Sequence, residues 1–215
     1  MGKSSYQDSL AQLCFECARR SGRVNNLYFS KNFLKRFFVR RNFNNIITGS
    51  ANASRKEKVL DFGPGMGIML PALAKEFKCV VAIDIDEKQL NSAKILVSEC
   101  KIENIDFILG KEENELAIFD DGVFDCIIAD NVLEHIVETG PIISEFYRIL
   151  SDRGILIISL PSENFIYRMF ESKNDGHVLK TYSQIVDFIE AIKVRYSRFD
   201  EFDCFPFFKT FALTK

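Results

Sequence analysis

The stretch Lys58–Ala74, KVLDFGPGMGIMLPALA, sets an apolar run against a helical one, with three glycines and a proline between them. Lys58–Phe62 reads as a buried strand and residues 68–77 as the helix that follows. Gly63, Gly65 and Gly67 strip the turn of side chains, so the backbone can take left-handed dihedrals and a ligand can lie against it. A second strand, CVVAID (79–84), ends on Asp84, 21 residues after Gly63. In a doubly wound sheet such a carboxylate stands beside the first turn and can accept hydrogen bonds from two ribose hydroxyls. The pair predicts a site for an adenosine-containing ligand at the carboxyl ends of the strands.

The same alternation continues outward. Asp86, with Gln89 three residues on, forms a capping box and opens a helix that runs to about Cys100. IDFIL (105–109), FDCIIA (124–129) and GILIISL (154–160) are further strands, and PIISEFYRIL (141–150) is the helix between the last two. Near-continuous apolar runs separated by helices indicate parallel strands covered on both faces. After Pro161 the pattern is mixed until a second capping box, Thr181 with Gln184, opens another helix. Residues 194–203 and 207–215 then alternate in polarity, as two edge strands would. The predicted fold is α/β: a doubly wound, mostly parallel seven-stranded sheet with helices on both faces and an antiparallel C-terminal edge hairpin.

Residues 1–55 read as a helical lead-in or lid, and residues 56–215 as the ligand-binding domain. Within KNFLKRFFVRR (31–41), Phe33, Leu34, Phe37 and Phe38 share one helical face, and five positive charges occur with no negative one. Such a helix either docks on the domain with its basic face in solvent or offers a peripheral contact to an anionic or lipid-linked substrate.

Bulk properties narrow the class. A formal charge of −2 and a pI near 5.8 give no overall attraction to nucleic acid. There are 21 Phe and no Trp, which suits a phenylalanine-rich core, with some rings free to line an apolar pocket. The six cysteines show no framework spacing and are expected to be reduced, buried thiols, Cys14-Phe-Glu-Cys17 being a lone pair. No signal region or membrane-length apolar run appears, so a cytoplasmic location is expected. No His, Asp or Glu cluster has metal-ligand spacing, so no metal is expected.

Details separate the adenosine ligands. A dinucleotide fingerprint needs a third glycine at position 68, which is Ile68, and Asp61 precedes the glycines. VLDFGPGMG, VVAIDIDEKQL, FDDGVFDCIIADNVLEHI and RILSDRGILIISLP occur in order. Together they resemble the successive motifs of class I S-adenosylmethionine-dependent methyltransferases, over about Lys58 to Pro161. The similarity is greatest to the small-molecule branch that includes ubiquinone-type O-methyltransferases.

The resemblance implies S-adenosyl-L-methionine as cofactor. Asp61 and the loop Gly63, Gly65, Gly67 would hold its methionine end, Asp84 its ribose, and Ile85 its adenine. Asp130 and Asn131 would border the sulfonium. Family members often carry Gly-Asp after the third strand; here Lys111 and Glu112 follow Gly110, which passes adenine recognition to Glu112 or to backbone atoms. The fourth motif is not of the Asn-Pro-Pro-Tyr type, which points away from nucleic-acid bases and toward a small acceptor such as a sugar, a lipid-linked intermediate or an aromatic metabolite.

Methyl transfer needs orientation, and a general base where the acceptor is a hydroxyl or amine of high pKa. The two histidines are the candidates: His135, assisted by Glu134, and His177. Either can equally be an ordinary turn or loop histidine. Two rival functions remain at this stage, a non-catalytic cofactor-binding partner of another methyltransferase and an NAD-type oxidoreductase.

Overall fold

In the computed structural model the chain forms one open sheet of seven strands. Residues 3–22, 29, 31–110, 115–136, 138–161, 187, 189–190, 195–204 and 208–215 are described. The strands are β1 (Lys58–Phe62), β2 (Cys79–Asp84), β3 (Ile105–Leu109), β4 (Phe124–Asp130), β5 (Leu150–Pro161), β6 (Arg198–Cys204) and β7 (Phe208–Thr214). Their order is β3-β2-β1-β4-β5-β7-β6. The first five are parallel, and β7 runs antiparallel to both β5 and β6. The helices are α1 (Lys3–Arg20), α2 (Phe33–Ala51), α3 (Leu70–Glu76), α4 (Glu87–Glu99) and α5 (Thr139–Ile149). The order of connection reverses between β1 and β4, and the ends of these two strands form the crevice where doubly wound sheets bind ligands.

Period-two alternation divides the sheet into two cores. Val59, Val80, Ala82, Cys126, Ile128, Ile155 and Ile157 pack with α1, α2, α3 and α4 on one face. Leu60, Val81, Ile83, Ile127, Ala129, Leu156 and Ile158 pack with α5 on the other. All of these side chains are buried, so both faces of the central strands are apolar, which explains their unbroken hydrophobic runs.

Asp86 caps α4 as expected, its carboxylate accepting from the N–H groups of Lys88 and Gln89. The backbone N–H of Asp86 donates to Asp84 instead of to Gln89, so only half of the predicted box forms. The capping box at Thr181 lies outside the described residues.

The lead-in is helical and packs on the sheet. Phe15 of α1 meets Phe43 of α2 at 5.4 Å between ring centroids. Gly49 of α2 lies so close to Ile157 of β5 that an added Cβ would sit 3.1 Å from it. The buried face of α2 is Val39, Asn42, Phe43, Ile46 and Ile47. Phe33, Leu34 and Phe37 are 65%, 56% and 48% exposed, so these three do not dock, whereas Phe38 is half-buried.

One expectation is overturned. Cys17 of α1 and Cys100 at the end of α4 form a disulfide, with their Cα atoms 5.9 Å apart and a sequence separation of 83. Local spacing carries no sign of it, because only the packing of α1 across α4 brings the two together. Cys14, Cys79 and Cys126 are free thiols, and burial pushes the Cys14 thiol far above its ordinary range.

Candidate functional site

The turn after β1 is shaped by contacts on two of its glycines and by open space at the third. Gly63 has φ +75°, and a Cβ there would lie 2.6 Å from a methyl of Val132. Gly67 is pressed in the same way against Ala93 of α4. Both are therefore bare because the protein packs against them. Gly65 differs: with φ +53°, a Cβ would meet nothing within 4 Å. It is the position in the turn where backbone faces free space.

Asp84 stands beside it. Its Oδ2 accepts from the N–H of Gly65 at 3.1 Å and its Oδ1 from the N–H of Asp86 at 2.9 Å. Each oxygen keeps a further lone pair for a hydroxyl donor. Burial holds the Asp84 carboxyl above its ordinary value, against the lowering effect of the two backbone donors.

A cleft of about 140 Å³ opens between the tips of β1, β2 and β4. Asp84, Ile85, Gly110, Val132, His135 and Ile136 are among its lining residues. Ile85 is 76% exposed, an apolar side chain waiting for a cover. The predicted ribose and adenine contacts thus meet at one cleft, and His135 borders the same space. Glu112 and His177 lie outside the described residues.

Deeper in, acidic groups converge. Asp61 is 4% exposed. Burial drives its carboxyl up to about 8, with the charges of Asp130 and Asp84 adding to the effect. Burial raises Asp130 to about 6, partly offset by hydrogen bonds from Ser159 and Asn42. Burial also raises Glu134 to about 8. Among the described residues, no Lys, Arg or His stands within ion-pair distance of Asp61 or Asp130. Glu134 Oε1 is 4.0 Å from Nε2 of His135.

Asn131 has φ +52°, a left-handed conformation that few residue types other than glycine adopt readily. Its side-chain amide donates to Asp130 Oδ1 at 2.7 Å, while its Oδ1 is buried without a partner. Glu134 Oε2 is likewise buried and unpartnered. Orphaned acceptors of this kind are costly unless a ligand supplies the donor or the positive charge. The residues present therefore fit a ligand that carries hydroxyls, a flat apolar ring and a cation.

A polar cluster that the sequence did not disclose adjoins this group. Asn42 of α2, 3% exposed, donates to Asp130 and to Ser159 of β5 and accepts from Thr210 of β7. The relevant signal is register: Asp130 pairs with Ser159, and Ser159 with Thr210. That pairing was not available from the sequence alone.

A strand-order reversal, with a bare-backbone turn and a facing carboxylate at its edge, defines a doubly wound α/β domain. The chain belongs to the methyltransferase-domain family, whose model matches residues 53–196, and so to the class I S-adenosylmethionine-dependent methyltransferases. It is 26% identical over 124 residues to the ubiquinone biosynthesis O-methyltransferase of Psychrobacter arcticus, covering 58% of this chain and 48% of that protein. The chain spans about half the length of the curated relatives it matches. In fold it is similar to a SAM-dependent methyltransferase from Aquifex aeolicus, with a TM-score of 0.62, 20% identity, and coverage of 79% of this chain and 88% of that one. The PH0226 protein from Pyrococcus horikoshii gives a TM-score of 0.66 at 17% identity, covering 89% and 96%.

Proposed function

We propose that the chain transfers a methyl group from S-adenosylmethionine to a hydroxyl of a small-molecule acceptor. The observation that carries this reading is the set of buried carboxyl groups at the tips of β1 and β4, with no cationic side chain paired to Asp61 or Asp130 among the described residues. A ligand that brings its own positive charge completes such a site, and one that lacks it does not.

The cofactor supplies, when bound, a methyl group on a positively charged sulfur. The chain's own residues then have separable tasks. Both oxygens of Asp84 receive the ribose, the backbone at Gly65 faces the methionine end, and Ile85 covers the adenine ring. Asp61, Asp130 and Asn131 surround the cationic end with acceptors. His135, next to Glu134 and bordering the cleft among the described residues, takes the proton from the acceptor hydroxyl. The similarity to ubiquinone O-methyltransferases supports a hydroxyl as the accepting group. Exposed Phe33, Leu34 and Phe37, beside the basic residues of α2, suit an acceptor with an apolar or anionic portion.

Calorimetry with S-adenosylhomocysteine and with NAD tests the assignment. Binding of the first and not of the second is expected. NAD binding with no response to S-adenosylhomocysteine would make the chain a nucleotide-binding oxidoreductase.

A further inference from the structure

Three polar side chains form a transverse row in the sheet. Asp130 on β4, Ser159 on β5 and Thr210 on β7 are successive register partners and project from the same face. Ser159 and Thr210 are fully buried. A buried polar row beneath a helix is unfavourable unless every group finds a partner. The helix above it is α2, and the residue it presents is Asn42.

The geometry fixes which way the Asn42 amide points. Thr210 Oγ1 lies 2.6 Å from Asn42 Oδ1, and Ser159 Oγ lies 3.2 Å from the same oxygen. The Nδ2 group is 2.9 Å from Ser159 Oγ and 3.3 Å from Asp130 Oδ1. A flipped amide would set its oxygen against a carboxylate and its NH2 against the hydroxyl of Thr210, which would lose its closest acceptor. The hydroxyls of β5 and β7 thus aim the amide, and the amide meets Asp130.

We propose that Asn42 is a positioning residue of the cofactor site, holding the Asp130 carboxylate in place at the tip of β4 from a helix outside the strand-tip motifs. The inference rests on the reading of that edge as the S-adenosylmethionine site. It makes α2 a wall of the site as well as a core helix. Asp130 receives amide donors from both sides, Asn131 within its own turn and Asn42 from α2, and both reach Oδ1.

The pH dependence of ligand binding separates positioning from mere support. Among the described residues, the titratable groups facing Asp130 are Asp61 from β1 and Glu134 from the turn after β4. Its partners from α2 and β5 are the uncharged Asn42 and Ser159, and the uncharged Thr210 of β7 stands behind Asn42. In Asn42→Leu the carboxylate loses a donor to its charged form, so Asp130 ionises at higher pH, and Asp61 and Glu134, both raised by its charge, shift with it. The difference between the two profiles therefore starts at Asp130 and reports it together with these two neighbours.

The experiment is calorimetric titration of the full chain with S-adenosylmethionine from pH 5.5 to about 8.5, on the parent protein, Asn42→Leu, Thr210→Val and Asp84→Ala, with thermal melts to verify folding. Thr210→Val leaves Asn42 in place but removes the hydroxyl that aims it, so the proposal stays testable if Asn42→Leu does not fold. The expected result is a Kd roughly tenfold or more higher for Asn42→Leu at neutral pH, with the acid-side loss of affinity beginning about one pH unit higher. Thr210→Val should show a smaller change in the same direction. If the parent binds, Asp84→Ala weakens it, and the folded Asn42 and Thr210 variants keep the parent's pH profile, the positioning role is refuted while the cofactor site stands. If the parent fails to bind, or Asp84→Ala binds as well as the parent, the cofactor reading fails and this inference with it.

Discussion

Binding of a positively charged cofactor should expel protons from this protein, and the count can be worked from the structure. In the free chain Asp61 and Glu134 are each held up to about 8. At pH 7 each is then about nine-tenths protonated. A cation placed among them favours the charged form, so binding lowers both values and releases up to about two protons at pH 7. Asp130, raised only to about 6, is already mostly ionised there and adds little. The assay is calorimetry at pH 7 in buffers of different ionisation enthalpy, where the slope of apparent enthalpy gives the protons released. We expect one to two protons, about one fewer in Asp61→Asn, and an affinity that rises with pH up to about 8 before levelling. Tight binding with no buffer dependence would refute the reasoning, because the ligand's charge could not then be meeting these groups. The sign for stability runs the other way. The folded state holds protons that the unfolded chain, with ordinary carboxyl groups near 4, has already lost. The free protein should therefore lose stability as pH rises from about 4 to about 8, by about 1.4 kcal/mol per pH unit for each such group. Asp61→Asn should be the more stable protein at pH 8, measured by denaturant unfolding.

Other expectations follow from single contacts. Asp84→Ala should weaken S-adenosylhomocysteine binding by about 1.5–3 kcal/mol for each hydroxyl bond lost, read by titration. Gly63→Ala and Gly65→Ala should part company. The first forces a Cβ into Val132 and should lower the melting temperature sharply; the second costs only the left-handed backbone, about 1–2 kcal/mol, yet blocks the open face and should abolish cofactor binding. The Cys17–Cys100 link closes a loop of 83 residues, so its reduction should cost up to about 4.5 kcal/mol of unfolding free energy. Peptide mapping without reductant should recover the two cysteines as one linked fragment.

The central strands of the parallel sheet were legible because burial on both faces leaves little freedom of composition. KVLDF and CVVAID mark β1 and β2 to the residue, and IDFIL, though half-exposed at the sheet edge, marks β3. Asp61, Asp84 and the glycines stood out for a related reason, since acidic and bare positions at the ends of apolar strands have few structural uses. The roles of the individual glycines were less visible. That Gly63 answers to Val132, and Gly67 to Ala93, depends on contacts across 69 and 26 residues of sequence, which no local pattern encodes. Cys17 and Cys100 were misread for the same reason. On α2, amphipathic spacing put Phe33, Leu34, Phe37 and Phe38 on one face, either to pack on the domain or to meet a substrate. The helix is in fact anchored from Val39 onward, where Val39, Phe43 and Ile46 are buried and leave Phe33, Leu34 and Phe37 in solvent. Helical periodicity locates an apolar stripe but does not say how far along the helix its partner extends.

Asn42 shows most clearly where local reading stops. In RNFNN it is one amide among three and carries no pattern. Its meaning arises from three strands that the chain reaches 88, 117 and 168 residues later. The central row of a parallel sheet is ordinarily apolar, because nothing above it can answer a polar group. Here that row carries a carboxylate and two hydroxyls, and the burden falls on whatever covers it. An aliphatic residue at position 42 would leave the fully buried Thr210 hydroxyl without its acceptor and the half-buried Asp130 carboxylate with one donor fewer, and leaving a buried polar group unpaired costs more than making the bond gains. The helix ahead of the recognisable motifs is therefore tied to them by the polar groups at their tips, and a change at that one amide should be felt at the cofactor before it is felt in the fold.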